Sequence, residues 1–182
     1  TDGQWPALSI EKNLVAWSRI KSASTSLSVG IIESVAVITT SLAEDEVWAI
    51  TNRKISAGTK RYIEYFDTLA VSSLADAHYV DSGVNPTSSV TFQAVGALTH
   101  LAGEVIDALI DGTRWVSGLT VAAAGTITVS PYSGTNIHAG LPYTSYLQTM
   151  RGDYGSPWGD GAGLNKRTSE LLAWVHDSSA LA

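Results

Sequence analysis

The sequence contains no cysteine. That excludes a disulfide framework, a thiolate nucleophile and any zinc site built on sulfur. Charge is also scarce: Asp, Glu, Lys and Arg supply 15% of the 182 residues, where ordinary globular domains carry about a quarter. A surface so poor in charge must be made of Ser, Thr, Gly and Asn. With 11 Lys and Arg against 17 Asp and Glu, the formal net charge is -6. So few, scattered cations do not make the basic footprint that holds a phosphate backbone. Long apolar runs are missing as well, and none approaches the roughly 20 residues that span a bilayer. No membrane insertion is expected.

Catalytic signatures are equally thin. There is no Gly-x-Ser-x-Gly elbow, no phosphate-binding Gly-Lys-Ser/Thr loop and no dinucleotide fingerprint. The four histidines, His78, His100, His138 and His176, show neither an i,i+4 pair nor a His-x-His spacing. Plain hydrogen-bonded or surface roles are expected for them, and no metal. Glu33, Glu64, Asp81 and Glu104 fall in separate segments without the motif of a glycosidase carboxylate pair. Asp153 and Asp160 in a glycine-rich stretch read as turn residues rather than calcium ligands. The sequence points to a protein that is not an enzyme and needs no cofactor.

What the sequence does have is alternation. Leu8–Ile10 and Leu14–Ile20 flank the polar turn Glu11-Lys12-Asn13. Ile31–Ile38 is dense in β-branched residues, which suit a pleated surface. Glu46–Lys54 alternates, with Trp48 and Ile50 on one face and Val47 and Ala49 on the other. Arg61–Phe66 follows the same rule after a short loop, Ser56-Ala57-Gly58. Consecutive strands joined tightly pair as an antiparallel sheet. Residues 1–77 are therefore expected to form a β-meander resembling one propeller blade, although half of a sandwich would look alike. The opening Thr1-Asp2-Gly3 has hairpin-turn chemistry, which suggests a fragment whose preceding strand lies upstream.

Residues 78–150 read as a second β unit, a small barrel or sandwich. Its expected strands are Val90–Ala94, Val105–Ile110, Arg114–Val116, Leu119–Val121, Thr126–Val129 and Ile137–Ala139. Ala97–Asp111 also carries apolar residues near helical spacing. Gly103 inside it disfavours a helix, and a turn at His100–Gly103 followed by a strand is the preferred reading. Residues 151–182 comprise a glycine-rich loop and a last strand, Glu170–His176, expected to return to the first sheet. The fold class is all-β: an antiparallel meander with a small β-barrel or sandwich insertion.

Six tryptophans are the one unusual feature. Trp17, Trp48 and Trp174 lie in strands and are expected in the core. Trp5, Trp115 and Trp158, with Tyr154, are candidates for a surface that a partner or a glycan covers.

Several blocks carry a resemblance. They are Val15-Ala16-Trp17-Ser18-Arg19-Ile20, Glu33–Val37, Asp45–Ile50, Lys60–Asp67, Tyr79–Gly83, Leu98–Gly112 and Gly140-Leu141-Pro142-Tyr143-Thr144-Ser145-Tyr146-Leu147-Gln148-Thr149. In this order they resemble the tail tube or nozzle proteins of short-tailed bacteriophages, and the last block is the most specific. The resemblance implies a virion tail component containing a β-propeller, arranged in a ring, usually of six copies. Such a ring meets other tail and adaptor proteins and lines the channel through which DNA passes as cargo. The middle unit is similar to a small β-barrel insertion also found in ubiquitin-activating enzymes; without cysteine, no such activity is implied. Members of the family are several times longer, so this chain corresponds to a central portion. The Tyr154–Gly163 loop has no counterpart in the pattern.

Overall fold

Alternating, β-branched segments form strands at most of the expected places among the residues described. The computed structural model describes residues 5–11, 14–24, 30–39, 45–56, 58–67 and 73–144. These contain twelve strands and two short 3-10 turns, Leu74–Asp76 and Thr99–Leu101. Every strand pairing is antiparallel, and no sheet closes into a barrel among the described residues.

The first five strands fall in two sheets among the described residues. β1 (Trp5–Glu11) and β2 (Leu14–Ile20) pair as a hairpin. β3 (Ile31–Thr39), β4 (Asp45–Ile55) and β5 (Gly58–Tyr65) form a separate three-stranded sheet. An isolated bridge, Ser22 with Gly30, joins the stretch after β2 to the start of β3. A bulge at Glu33 shifts the β3–β4 register between Ile32 and Ser34, which lets two neighbouring residues lean to the same face.

The larger sheet is built around β12 (Gly134–Leu141), whose seven residues other than Thr135 are buried. One edge of β12 pairs with β9 (Val105–Ile110), which continues to β10 (Arg114–Thr120). The other edge meets β7 (Thr87–Phe92) and then β6 (Asp81–Val84). β8 (Ala94–Val95) and β11 (Ile127–Thr128) pair separately. Ile106, Ala108, Ile110, Ile137, Ala139 and Leu141 pack with Val95, Leu98, Leu101, Val121, Ile127 and Val129 into one apolar core. Each fully buried Leu or Ile there contributes roughly 1.5–3 kcal/mol.

Three expectations need correction. Val90–Ala94 is not one strand: it is split at Gln93, whose carbonyl accepts from Val129, between β7 and β8. Arg114–Val116 and Leu119–Val121 are not two strands: they belong to β10, broken by a bulge between Val116 and Leu119. Gly118 sits in that bulge at φ +76, and its N–H donates to Asp107 at 3.1 Å. A glycine with positive φ bends a strand there without ending it. β6 was not anticipated, because Asp-Ser-Gly-Val has no alternation to mark it. The strand preference at Val105–Ile110 agrees with the structure, with the 3-10 turn Thr99–Leu101 ahead of it. The expected strand Glu170–His176 lies outside the described residues.

Candidate functional site

The three-stranded sheet has two chemically different faces. In β4, Ala49, Thr51, Arg53 and Ile55 are buried. Trp48, Ile50, Asn52 and Lys54 point the other way, as period-two geometry requires. Cross-strand neighbours extend that outer face: Trp48 lies between Ala36 and Tyr65, and Ile50 between Ser34 and Ile63. Ile63 is 74% exposed, Tyr65 55% and Ile50 37%. Ile31 and Ile38 on β3 are exposed too. An outer sheet face this apolar is a mark of interaction surfaces.

One edge of this patch is polar and ordered. Arg61 Nε donates to Glu33 at 2.6 Å, and Asn52 donates to the same carboxylate at 2.8 Å. The Arg61 hydrogen bond, then that of Asn52, lowers the Glu33 pKa from its ordinary value. Trp48 donates its indole N–H to Glu46 at 3.0 Å and stacks at a tilt on Tyr65, with ring centroids 5.3 Å apart. Trp48 is thus a half-buried residue of the outer face, not the core residue expected from its place in a strand. The β4 alternation does put Ile50 beside it; the sheet presents that pair outwards because the opposite face packs on the neighbouring segment.

The inner face is held by an ion cluster. Arg53, 1% exposed, bonds Glu64 at 2.5 Å and Asp81 at 2.8 Å, and also donates to the Ala23 carbonyl. Asp81 accepts further from the Ala23 N–H at 2.6 Å and the Ser22 hydroxyl at 3.2 Å. Burial by itself would lower the Arg53 pKa, but the bonds to Glu64 and the charge of Asp81 outweigh it and raise it. Glu64 and Asp81, set apart in the sequence, therefore converge on one guanidinium. Their oxygens are committed to Arg53 and, for Asp81, to the Ser22–Ala23 stretch. Glu104, also buried, accepts from the Ser56 N–H and hydroxyl.

Of the residues singled out for partner or glycan contact, the two that are described stand in different sheets. Trp5 opens β1 opposite Ile20. Trp115 stands in β10, half-buried opposite Leu109, in a different sheet. Tyr154 and Trp158 lie outside the described residues, as do Trp174, His176, Asp153 and Asp160; nothing is described of the Trp17 side chain. The histidines are not all isolated: His78 and His138 meet at 3.3 Å between their Nδ1 atoms, a contact no sequence spacing announces. His100 bonds the Ser82 carbonyl at 2.9 Å. No cluster of three or more metal-ligating side chains occurs among the described residues, and no described helix is long and apolar enough to cross a membrane. No family model matches the sequence, and no curated protein matches it.

Proposed function

We propose that this chain is a structural element of a short-tailed phage tail, part of a tube or nozzle that assembles from several copies of one subunit. In this reading it is not an enzyme. It acts by shape and association, in a closed ring, with six copies as the family pattern suggests, DNA passing only as cargo and neighbouring tail proteins docking outside. The tail assignment rests on the ordered sequence blocks that end in Gly140–Thr149. The observation that carries the assembly part is the outer face of β3, β4 and β5, with Ile50, Ile63 and Tyr65 exposed. A heterologous contact that repeats around an axis buries such a face on each copy.

Two measurements test the reading. Light scattering on the purified chain should show an oligomer that Ile50→Thr with Ile63→Thr shifts towards monomer. Mass spectrometry of purified tailed particles should find the polypeptide in stoichiometric amount. Its absence from such particles would remove the tail assignment even if the oligomer forms.

A second reading has one observation behind it. The tilted Trp48–Tyr65 pair on the same face offers aromatic planes on which a sugar ring can stack. The protein would then be a carbohydrate- or receptor-binding module of the tail. Glycan-array binding that Tyr65→Ala abolishes would favour it; a silent array, with the oligomer intact, would leave the assembly reading.

A further inference from the structure

The pair His78–His138 is a contact of titratable groups that the assembly reading does not use. His138 lies on the central strand β12 and is fully buried. Its Nε2 is 2.7 Å from the Ala75 carbonyl. A carbonyl only accepts, so Nε2 carries a proton and donates. Asn136 Nδ2 donates to the same carbonyl at 2.6 Å, so both oxygen lone pairs are taken. Burial first, then the charge of His78, lowers the His138 pKa below the usual 6.5; the Ala75 bond, Asp76 and Asp67 oppose this without cancelling it. At neutral pH the other nitrogen of His138, Nδ1, is therefore bare and accepts.

That assignment dictates the state of His78. Its Nδ1 faces the bare Nδ1 of His138 at 3.3 Å and must supply the proton. Its Nε2 is 2.7 Å from an Asp67 carboxylate oxygen, which also only accepts. One proton between the two Nδ1 atoms and one on each Nε2 satisfy every bond, and burial of His138 favours His78, with both nitrogens donating, as the ring that carries the charge. The pair holds one extra proton, no more and no less.

The groups around it fit this count. Asp67, at the start of the connector after β5, and Asp76, in the 3-10 turn, are the carboxylates near the pair. From β12's neighbours, Leu109 of β9 stands beside His138, Val84 of β6 pairs with the adjoining Ala139 and Thr87 of β7 with Asn136 two residues away; none of the three is charged. The connector is also pressed on the sheet at Gly112, where an added Cβ would lie 2.3 Å from the Leu74 backbone.

We propose that Asp67, His78 and His138 form a one-proton latch that holds the end of the connector against β12 at neutral pH and lets it go when a second proton enters the pair. On acidification the second proton binds His138 Nδ1. Two N–H groups and two positive rings then face each other, and the His78–His138 bond is lost. The bond from His138 Nε2 to Ala75 survives, since a charged imidazole still donates there. Release is thus confined to the His78 end of the connector. This device is independent of what covers the outer face of the three-stranded sheet.

Ring nitrogen shifts of the whole chain, followed by NMR, test the protonation count. At about pH 7, His78 should report two protonated nitrogens and His138 the Nε2–H tautomer. A His138 proton on Nδ1, or a neutral His78 at that pH, overturns the latch. Amide hydrogen exchange tests the release. After correction for intrinsic rates, the amides of Ala77–Val80 should exchange faster at about pH 5 than at pH 7, while those of β9 keep their protection. In His78→Asn, whose side chain is partly exposed, those amides should exchange at the fast rate at both pH values. A wild type with no such step, or a variant that keeps it, refutes the proposal.

Discussion

Arg53 Nη2 lies 2.8 Å from Asp81 Oδ1, so a residue of β4 is tied to the first residue of β6 across 28 positions of sequence. The same guanidinium holds Glu64, and the same carboxylate holds the Ser22–Ala23 backbone and side chain. The paired strands β4 and β5, strand β6 and the Ser22–Ala23 stretch are thus joined through one buried cation.

Replacing that cation should be costly. Arg53→Met leaves two carboxylates facing each other without a counter-charge. Breaking a buried pair from one side costs about 3–5 kcal/mol; because Glu64 and Asp81 are 22% and 27% exposed, the lower end, about 3 kcal/mol, is expected. Urea denaturation checks it, and a loss under about 1 kcal/mol would mean the cluster is not what joins these segments.

Two glycines separate steric clash from backbone strain. Both Gly112 and Gly118 have positive φ, +66 and +76. Gly118→Ala meets open space and should lose about 1–2 kcal/mol, the cost of a left-handed conformation for an L residue. Gly112→Ala carries the same strain and also drives its Cβ into the Leu74 backbone. Its thermal midpoint should fall clearly further. Equal losses for the two variants would show that the connector yields freely.

Stability should fall on acidification in a way that His138 explains. Its folded pKa is lowered from 6.5 by burial, so below 6.5 the unfolded chain binds a proton that the folded chain refuses. The contribution of His138 then rises with pH between the folded value and 6.5, by at most about 1.4 kcal/mol per pH unit for one proton, and is flat above. The difference between wild type and His138→Gln, measured by urea denaturation across this range, isolates the contribution. Parallel curves would remove it.

On the outer sheet face, stability and association should part company. Ile63→Thr keeps a β-branched residue at a 74% exposed site and should change folding free energy by no more than about 0.5 kcal/mol. The apparent mass in solution should nevertheless drop when Ile50→Thr is added. A large loss of stability with unchanged mass would place this face in the fold rather than in assembly.

Much of the strand content was legible because the relevant physics is local. Ile31–Ile38, Glu46–Lys54 and Arg61–Phe66 announce themselves by β-branched and alternating residues, and each became a strand. Where the local signal was misleading or absent, tertiary context decided. Gly118 looked like a strand end and is a bulge, since its partner β9 continues past it. Asp81–Val84 has no strand signature, yet the free edge of β12 recruits it. The candidate site was legible only in part: the pairing of Trp48 with Ile50 on one face followed from alternation, but the aromatic residues picked out as contacts, Trp5 and Trp115, fell in different sheets.

The amino-acid pattern by itself determined that this is an all-β chain of antiparallel strands without sulfur chemistry, because strand formation and composition depend on near neighbours and side-chain type alone. Only the tertiary structure decided which face of β4 turns outwards. Both faces carry apolar side chains, and a period of two distinguishes the sides without ranking them. It also decided that His78 meets His138 and Arg53 meets Asp81, contacts set by how separate sheets are laid together, which no spacing along the chain encodes.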